Sequence, residues 1–466
     1  MQIPILNGIF ADTSPDFRTS YPHNLVPVPK QQGISAGYLR PADGLVELSA
    51  GVGADRGAIV WLGECYRVQG TSLVKVASDG VTTTIGDVGP GGPVTFDYSF
   101  DHLGVSSGGR LYFYDGSTLQ QNVDPDLGVV LDFIWIEGYF LATDGESLVV
   151  TELGDPFTVS PLKYGSSEID PDPINSVLEL RNEVYAVNTN SIEVFDNVGG
   201  SGFPFQRIKG AQIQKGSVGT HAAVVYDKKI AFVGGGLNEP PAVYVATNGQ
   251  DLKVSTREID TILQEYTTLE IASIVLEVHK DKAHNWLYLH LPNQTLVYDV
   301  EASKAIQQEV WFTLSGGITA KTRYPARSFV RCYNKWIAGD PDTGVISEVS
   351  TDVSTHFGRE IEWNFNTGII YNEGRGAIIH NLELVCLTGN VALGVNPVVS
   401  TEYSVDGVTW SQPMTTSAGA QGDRSARITW RRQGSMRNWR TQRFWGTTDA
   451  HISIVRIEAS LEGLAF

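Results

Sequence analysis

The chain has 466 residues, of which 42% are apolar and 18% are charged. This balance is typical of a folded protein and excludes a wholly disordered one. The formal net charge of −18 opposes general adsorption to nucleic acid or other polyanions. The 49 glycines and 21 prolines fall at the edges of short apolar runs, which predicts an all-β protein with many turns and few helices.

The N-terminal segment, residues 1–50, is rich in both proline and apolar side chains. Its prolines are spaced so closely that neither a helix nor a long strand is expected. Apolar residues such as Ile5 and Phe10 need burial to offset the entropy that is lost when they are ordered. We therefore predict an extended arm that lies over other parts of the protein or over a neighbouring subunit, as an assembly contact.

The start of the chain lacks the pattern of an export signal, which is a basic segment followed by an apolar core. No apolar run approaches the length of about 18 residues that would predict a membrane-spanning helix. We expect neither a standard export signal nor a membrane span.

Residues 51–350 repeat one unit, a β-hairpin followed by turn residues. The stretch His284–Val300 shows it clearly, because two runs rich in aromatic and β-branched residues flank the turn sequence Pro292-Asn293-Gln294. Seven such units begin about 36 to 54 residues apart, which overlaps the period of about 40 to 50 residues in propeller blades. We predict a six- or seven-bladed β-propeller whose closure removes exposed sheet edges. Two stacked β-sandwiches are the alternative fold.

Two segments depart from this unit. Between two of the repeats, Ile259, Ile262, Leu263 and Tyr266 recur at helical spacing, which predicts a short helix on the flank of the propeller. After the repeats, residues 351–466 alternate apolar and polar side chains strictly. Such alternation is typical of strands with one buried and one wet face, so we predict a separate antiparallel β-sandwich there.

Motifs that would indicate catalysis or metal binding are incomplete. Ser404–Trp410 resembles the Asp-box of sialidase-type propellers but is one residue short, and Asp-Gly between strands favours a hairpin turn. Asp340–Gly344 and Asp124–Asp126 cluster carboxylates as a calcium loop would, but neither completes the motif with its distal glutamate. We interpret all three as turns.

Histidines and cysteines are the remaining residue types that could bind a metal. They are His279, His284 and His290, and Cys65, Cys332 and Cys386. The histidines lie on or beside one predicted hairpin at positions that do not converge, so we expect structural or exposed roles. The cysteines are far apart, which predicts buried free thiols rather than a zinc site or a disulfide framework.

Seven arginines and no acidic residue occur between Arg424 and Arg443, which leaves −25 for the rest of the chain. The arginines are interleaved with tryptophans and one phenylalanine. Arginine beside aromatic residues binds nucleic acid or anchors protein interfaces. Because so much tryptophan is seldom left in water, we favour an assembly interface over a solvated surface, with DNA contact as a third interpretation. The predicted interface residues are Arg427, Trp430, Arg431, Arg432, Arg437, Trp439, Arg440, Arg443 and Trp445.

A series of short motifs runs through the chain in a fixed order. They are S-A-G-Y-L-R-P at Ser35–Pro41 with Asp43-Gly44, S-I-E-V-F at Ser191–Phe195, Q-K-G-S-V-G-T at Gln214–Thr220, and H-L-P at His290–Pro292 with L-V-Y-D at Leu296–Asp299. In order and spacing the series resembles the packaged DNA stabilisation proteins of short-tailed bacteriophages, also called tail accessory or tail nozzle proteins. Each motif alone is ordinary strand and turn sequence, so the series as a whole carries the resemblance.

The resemblance implies a structural virion protein of the tail, assembled in the host cytoplasm, with no enzymatic activity and no cofactor. It implies a homo-hexameric tube below the portal and adaptor that retains packaged DNA and forms the channel for its ejection. The implied partners are adaptor proteins, tail fibres or tailspikes, and double-stranded DNA that passes without sequence specificity. We expect carboxylates to line the channel, because each neutralised phosphate would add affinity for DNA, and the arginines to face the adaptor or a neighbouring subunit.

Two other functions fit parts of the sequence. A propeller-type protein that binds or hydrolyses glycans would account for the incomplete Asp-box, the aromatic residues and the acidic composition. A tail-fibre or adhesin subunit is the second alternative, and it would be expected to form trimers.

Overall fold

A computed structural model describes residues 2–3, 8–11, 17–30, 35–319, 322–448 and 450–464. Regular structure in these residues is almost entirely antiparallel β-sheet. Seven sheets are arranged as the blades of a propeller, and two further sheets pack face to face as a sandwich. The prediction of an all-β protein with a propeller and a C-terminal sandwich is confirmed.

Each blade is a meander of four antiparallel strands that runs from the centre of the ring to its rim. From the inner to the outer strand, the blades are blade 1, Asp55–Trp61, Glu64–Gln69, Ser72–Val76 and Thr82–Asp87; blade 2, Thr95–Tyr98, Leu103–Ser107, Arg110–Tyr114 and Leu119–Gln121; blade 3, Asp132–Ile136, Tyr139–Thr143, Ser147–Glu152 and Asp155–Ser166; blade 4, Ile174–Leu180, Glu183–Asn188, Ile192–Asn197 and Phe205–Arg207; blade 5, Ala223–Tyr226, Lys229–Gly235, Ala242–Thr247 and Gln250–Lys253; blade 6, Val275–Asp281, His284–His290, Thr295–Asp299 and Trp311–Leu314; and blade 7, Arg327–Cys332, Lys335–Gly339, Ile346–Ser350 and Gly44–Ser49. In blade 5 a short additional strand, Gly216–Ser217, also pairs with the second strand.

The ring contains seven blades and is closed by the N-terminal part of the chain. The inner strands contact one another in sequence order, and the inner strand of blade 7 contacts that of blade 1. The outer strand of blade 7 is Gly44–Ser49, which pairs with Ile346–Ser350 from the other end of the propeller sequence. Of the two predicted blade numbers, six and seven, the structure has seven. Ring closure leaves no open sheet between blade 7 and blade 1.

Buried carboxylates link successive inner strands. Asp132 in blade 3 accepts the backbone N–H of Val177 in blade 4 at 3.0 Å, and Glu277 in blade 6 accepts that of Ser328 in blade 7 at 2.8 Å. Burial raises the pKa of Asp132 to about 7. Because an unpaired buried N–H is costly, these side chains satisfy donors that the meander of each blade leaves without a partner.

Three short helices occur in the described residues. They are α1, Arg257–Gln264; α2, Thr268–Ala272; and α3, Val300–Ile306. The first lies between blades 5 and 6, begins with Thr256 as its N-cap, and buries Ile259 and Leu263. The predicted helix on the propeller flank is confirmed.

The sandwich consists of a seven-stranded sheet, named S1, and a five-stranded sheet, named S2. The strand order of S1 is Leu25–Pro29, Gly37–Pro41, Ser453–Gly463, Ala377–Leu387 and Ile428–Arg431, with Gln2–Ile3 beside the third of these and Ser435–Met436 beside the fourth. The order of S2 is Glu362–Asn366, Trp439–Thr447, Val398–Ser404 and Met414–Ser417, with Ile370–Tyr371 also paired to the second. Trp363, Phe365 and Phe444 form the centre of the core between the sheets. A separate two-stranded hairpin is formed by Gly8–Ala11 and Phe17–Ser20.

The N-terminal segment is part of both domains rather than an arm that lies over them. Leu25–Pro29 and Gly37–Pro41 are strands of S1, and Gly44–Ser49 completes blade 7. The expectation of an extended arm was wrong for this part of the segment, although the strands among the prolines are short, at five residues each. Leu25–Pro29 is the edge strand of its sheet, and an edge strand tolerates proline because its outward N–H groups need no partner in the ladder.

His23 and Asn24 join the propeller to the sandwich. The N–H of His23 donates to the carbonyl of Asn364 in S2 at 2.8 Å, and the N–H of Asn24 donates to the carbonyl of Thr313 in blade 6 at 2.8 Å. The ring of His23 also contacts the hydroxyls of Thr313 and Ser315, at 2.8 and 2.9 Å. Both residues are buried, so the sandwich is held against the outer edge of blade 6 by a satisfied polar network.

Leu289 and Leu296 test the blade assignment, because both side chains are fully buried in blade 6. We expect Leu289→Ala or Leu296→Ala to lower the free energy of unfolding by about 2 to 5 kcal/mol, through lost burial and the cavity that is left. Denaturant unfolding of the full chain measures this. Leu269→Ala is the matched control, since Leu269 is 85% exposed on α2 and its truncation should change little. Equal stability of all three variants would contradict the assignment.

Removal of residues 1–50 tests ring closure. The deletion takes away the outer strand of blade 7, three strands of S1 and the His23 junction, so we expect loss of cooperative thermal unfolding and aggregation through the exposed edges. Circular dichroism and analytical sedimentation measure both effects. A control deletion of residues 1–19 keeps the closing strand and should remain folded. A soluble 51–466 fragment with the melting temperature of the full chain would show that closure is dispensable.

Candidate assembly surface

The strand Ile428–Arg431 places its arginines outside the sandwich and its apolar residues inside. It is the edge strand of S1, and side chains alternate along it, so Arg427 and Arg431 are exposed while Ile428 and Trp430 are buried. The ring of Trp430 packs 5.6 Å from that of Phe444 in the core. Trp430 is therefore a core residue and does not belong to a surface.

A polar groove of about 750 Å³ lies on the outer face of S1 beside this edge strand. Arg427 binds Glu383 with both arms of its guanidinium, and the Nε to Oε1 distance is 2.8 Å. This contact lowers the pKa of Glu383 and keeps the carboxylate charged. Arg431 lines the same groove. Glu458 also lines the groove, so the groove presents the fixed Arg427–Glu383 pair with one further arginine and one further glutamate beside it.

A second group lies on the outer face of S2. Arg443 pairs with Glu402 at 2.9 Å and stands over the ring of Trp410 at 4.1 Å, while Trp439 and Trp445 are half-buried. The backbone of the N-terminal hairpin Gly8–Ala11 lies next to this face. The backbone of the chain's own hairpin therefore lies beside part of S2.

Arg440 is in the interior of the sandwich. Its guanidinium donates to the carbonyl of Gln433 and, through two N–H groups, to Oε1 of Gln442 at 3.0 and 2.6 Å. The guanidinium also stacks on the ring of Tyr403 at 3.8 Å. Burial lowers the pKa of Arg440 to about 10. No carboxylate among the described residues pairs with it, so amide oxygens and an aromatic face take the place of a counter-charge.

The remaining arginines are exposed. Arg432 and Arg437 lie in and beside the turns that follow the edge strand, and Arg424 precedes that strand. Within the described ranges, Arg424, Arg431, Arg432 and Arg437 form no ion pair. The nine predicted interface residues therefore divide into an exposed group at the S1 edge, a group on S2 and two core residues.

Sequence reasoning missed the partners of these arginines. Glu383 and Glu402 are more than 40 residues away along the chain, and only the pairing of strands brings them opposite Arg427 and Arg443. Gln433 and Tyr403 around Arg440 carry no sequence signal of that role. The alternation of Ile428 and Trp430 with arginine was a signal that could have placed Trp430 in the core.

The carboxylate motifs are turns. Asp406 accepts the N–H groups of Val408 and Thr409 at 2.9 and 2.8 Å, and these bonds together with the Thr409 hydroxyl hold the pKa of Asp406 well below its usual range. Asp340 accepts the N–H of Asp342 at 2.8 Å in the same manner. Within the described ranges, no group of three or more His, Cys, Asp or Glu side chains is arranged to hold a metal ion.

The three histidines of blade 6 have separate structural contacts. His284 bonds to Asp299 at 2.5 Å, His290 lies 3.5 Å from Glu277, and His279 packs edge-on against Trp336. Burial lowers the pKa of His279 to about 4, so its ring is neutral at pH 7. Cys65 and Cys332 are buried free thiols as predicted, whereas Cys386 is only half-buried.

Comparison with known families accounts for the whole chain. The family model described as "Bacteriophage P22 Gp10, beta-propeller" matches residues 1–354, and the one described as "Bacteriophage P22 Gp10, beta-sandwich" matches residues 362–462. The chain belongs to the bacteriophage P22 Gp10 family. The tail hub protein gp10 of Salmonella phage P22 is 26% identical over 457 residues, which cover 94% of each chain. The resemblance to tail accessory proteins of short-tailed phages is thus confirmed, and the chain is a structural protein of a phage tail.

Solved structures align with part of this Gp10 family member at low sequence identity. The WD40 domain of Neurospora crassa Pan2 has a TM-score of 0.42 at 9% identity, covering 64% of this chain and 90% of that domain. BamB from Moraxella catarrhalis has a TM-score of 0.38 at 12% identity, covering 70% and 93%. Among the described residues, no helix is long and apolar enough to cross a membrane.

Arg440 provides a test that separates a core arginine of this Gp10 family member from an interface arginine. We expect Arg440→Lys to lower the free energy of unfolding by about 2 to 4 kcal/mol, because an ammonium cannot reproduce the planar set of bonds or the stacking on Tyr403. Urea unfolding measures the loss. Arg437→Lys is the matched control at an exposed site and should be neutral. A neutral Arg440→Lys would overturn the structural role.

Proposed function

We propose that this chain forms the tail nozzle of a short-tailed phage, a homo-hexameric tube below the portal and adaptor. The tube retains packaged DNA and forms the channel through which the DNA leaves. The observation that carries the proposal is the match to the P22 tail hub protein, which extends over 94% of both chains and includes both domains. The partners are adaptor proteins on one side and tail fibres or tailspikes around the tube.

Charge supports a channel that DNA crosses without binding. A wall that neutralised phosphates would gain affinity from every released counterion and would slow the passage of DNA. The chain carries −18, and its one arginine-rich stretch without acidic residues, Arg424–Arg443, lies in the sandwich and not in the propeller. Carboxylates therefore line the path of the DNA, and double-stranded DNA passes without sequence readout.

The incomplete Asp-box is one of the three features behind the glycan-active alternative, together with the aromatic residues and the acidic composition. In that motif the carboxylate of Asp406 accepts hydrogen bonds from Val408 and Thr409 of its own turn. The same turn chemistry stabilises Asp115 in blade 2, which accepts from Ser117 and Thr118. The motif is therefore explained as a hairpin turn.

Native mass spectrometry and negative-stain electron microscopy of the purified chain test the proposal. We expect a six-fold ring with a central opening. A trimer would favour the fibre or adhesin alternative, and a monomer that binds or cleaves glycans would favour the glycan-active one. A ring with a basic lumen would support the nozzle proposal and contradict the proposal that carboxylates line the channel.

A further inference from the structure

Almost all of the net charge lies in about two fifths of the propeller sequence. Residues 79–196 contain 20 Asp and Glu against 3 Lys and Arg, a net charge of −17, so the rest of the chain carries only −1. This segment runs from the end of blade 1 through most of blade 4. The acidic composition is therefore a local property of blades 2, 3 and 4.

The order of the blades places this acidic sector far from the sandwich. The sandwich is held at the outer edge of blade 6 by His23 and Asn24, and the connection after Ser350 leaves blade 7 next to it. In a closed ring of seven, the blade opposite the gap between blades 6 and 7 is blade 3. Each subunit thus has an acidic end at blade 3 and an arginine-bearing end at the S1 edge strand.

The acidic end also exposes apolar side chains. The outer strand of blade 3, Asp155–Ser166, is 12 residues long, and its second half leaves Leu162 79% exposed and Tyr164 64% exposed. Leu153, in the turn that precedes it, is 64% exposed. Exposed apolar residues beside an open sheet edge are a signature of a protein contact, and DNA in a lumen would give them nothing to pack against.

Carboxylates flank this apolar edge. Ser147 pairs with Ser166 at the end of the outer strand, which brings exposed Glu146 and Glu168 to the same corner of blade 3. At the other end of the molecule, exposed Arg431 and Arg432 have no ion-pair partner in the described residues. The two ends therefore carry complementary charge, and each contains an open edge strand.

We propose that the rim of blade 3 docks against the arginine-bearing edge of S1 in a second copy of the chain. Two different surfaces then meet head to tail, which is the kind of contact that generates a closed ring. Leu162 and Tyr164 supply the apolar centre, and the glutamates and arginines form the charged border that fixes register. This inference rests on the ring of the proposed function and names the contact that builds it. Blades 2 to 4 carry carboxylates in loops on both faces of the propeller. The carboxylates that lie away from the contact remain available to border the DNA.

Charge reversal in the full chain tests the contact. Arg431→Glu with Arg432→Glu, and separately Glu146→Arg with Glu168→Arg, should each raise the concentration at which half of the chain is assembled by about tenfold or more. The quadruple variant restores opposite charges at every interface and should return to wild-type assembly. Lys280→Glu is the control, since it changes charge by the same amount per residue at an exposed site on blade 6. Native mass spectrometry measures assembly, and thermal unfolding confirms that each variant is folded.

The outcomes separate the two proposals. Loss of the ring in both double variants, recovery in the quadruple variant and no effect of Lys280→Glu would support the contact. If both double variants form the wild-type ring at an unchanged concentration, the proposed contact is wrong and the nozzle proposal stands. The arginines would then only prevent aggregation through the exposed edge strand. A wild-type chain that forms no ring at all would overturn the proposed function.

Discussion

The pairing of Gly44–Ser49 with Ile346–Ser350 is the constraint on which the rest of the structure depends. A propeller blade cannot close a ring with a sheet that lacks its outer strand, and here that strand comes from the opposite end of the propeller sequence. Because the contact joins residues about 300 positions apart, its entropic cost is met only when the six intervening blades are in place. The last blade, the ring and the position of the sandwich are therefore formed together.

The same segment sets how the two domains are arranged. Immediately before the closing strand, the chain contributes two strands to S1, and His23 and Asn24 bond to blade 6 and to S2 at once. A polar junction of this kind tolerates little displacement, since each buried group that lost its partner would carry a desolvation penalty. In the proposed tube, where each subunit would repeat identically, a fixed angle between domains is a requirement of closure.

Charged residues in this protein have two separate uses. Some are buried and structural: Arg440 stacks on Tyr403 between amide oxygens, and Arg67 binds Asp55 with two bonds where blade 1 meets blade 7. Others are exposed and unevenly distributed, with the negative charge concentrated on blades 2 to 4 and exposed arginines on the sandwich edge. The net charge of −18 is the sum over all charged residues. It therefore describes neither the acidic blades nor the arginine-bearing edge of the sandwich.

Local patterning by itself determined the class of fold, the repeated hairpins, the helix at Ile259 and Leu263, the alternating strands of the C-terminal domain and the family. The fold class, the hairpins, the helix and the strands follow from periodicity and turn chemistry, which act over a few residues and can be read along the chain. The family follows from the resemblance that the ordered series of short motifs carries. Only the tertiary structure decided the number of blades, the strands within residues 1–50 and the fate of the arginine segment. Trp430 and Arg440 are buried while Arg431 and Arg432 are exposed, because the aromatic partners of the first two, Phe444 and Tyr403, are supplied by other strands. Which surface a charged residue serves depends on contacts between distant positions, and no window of local sequence contains them.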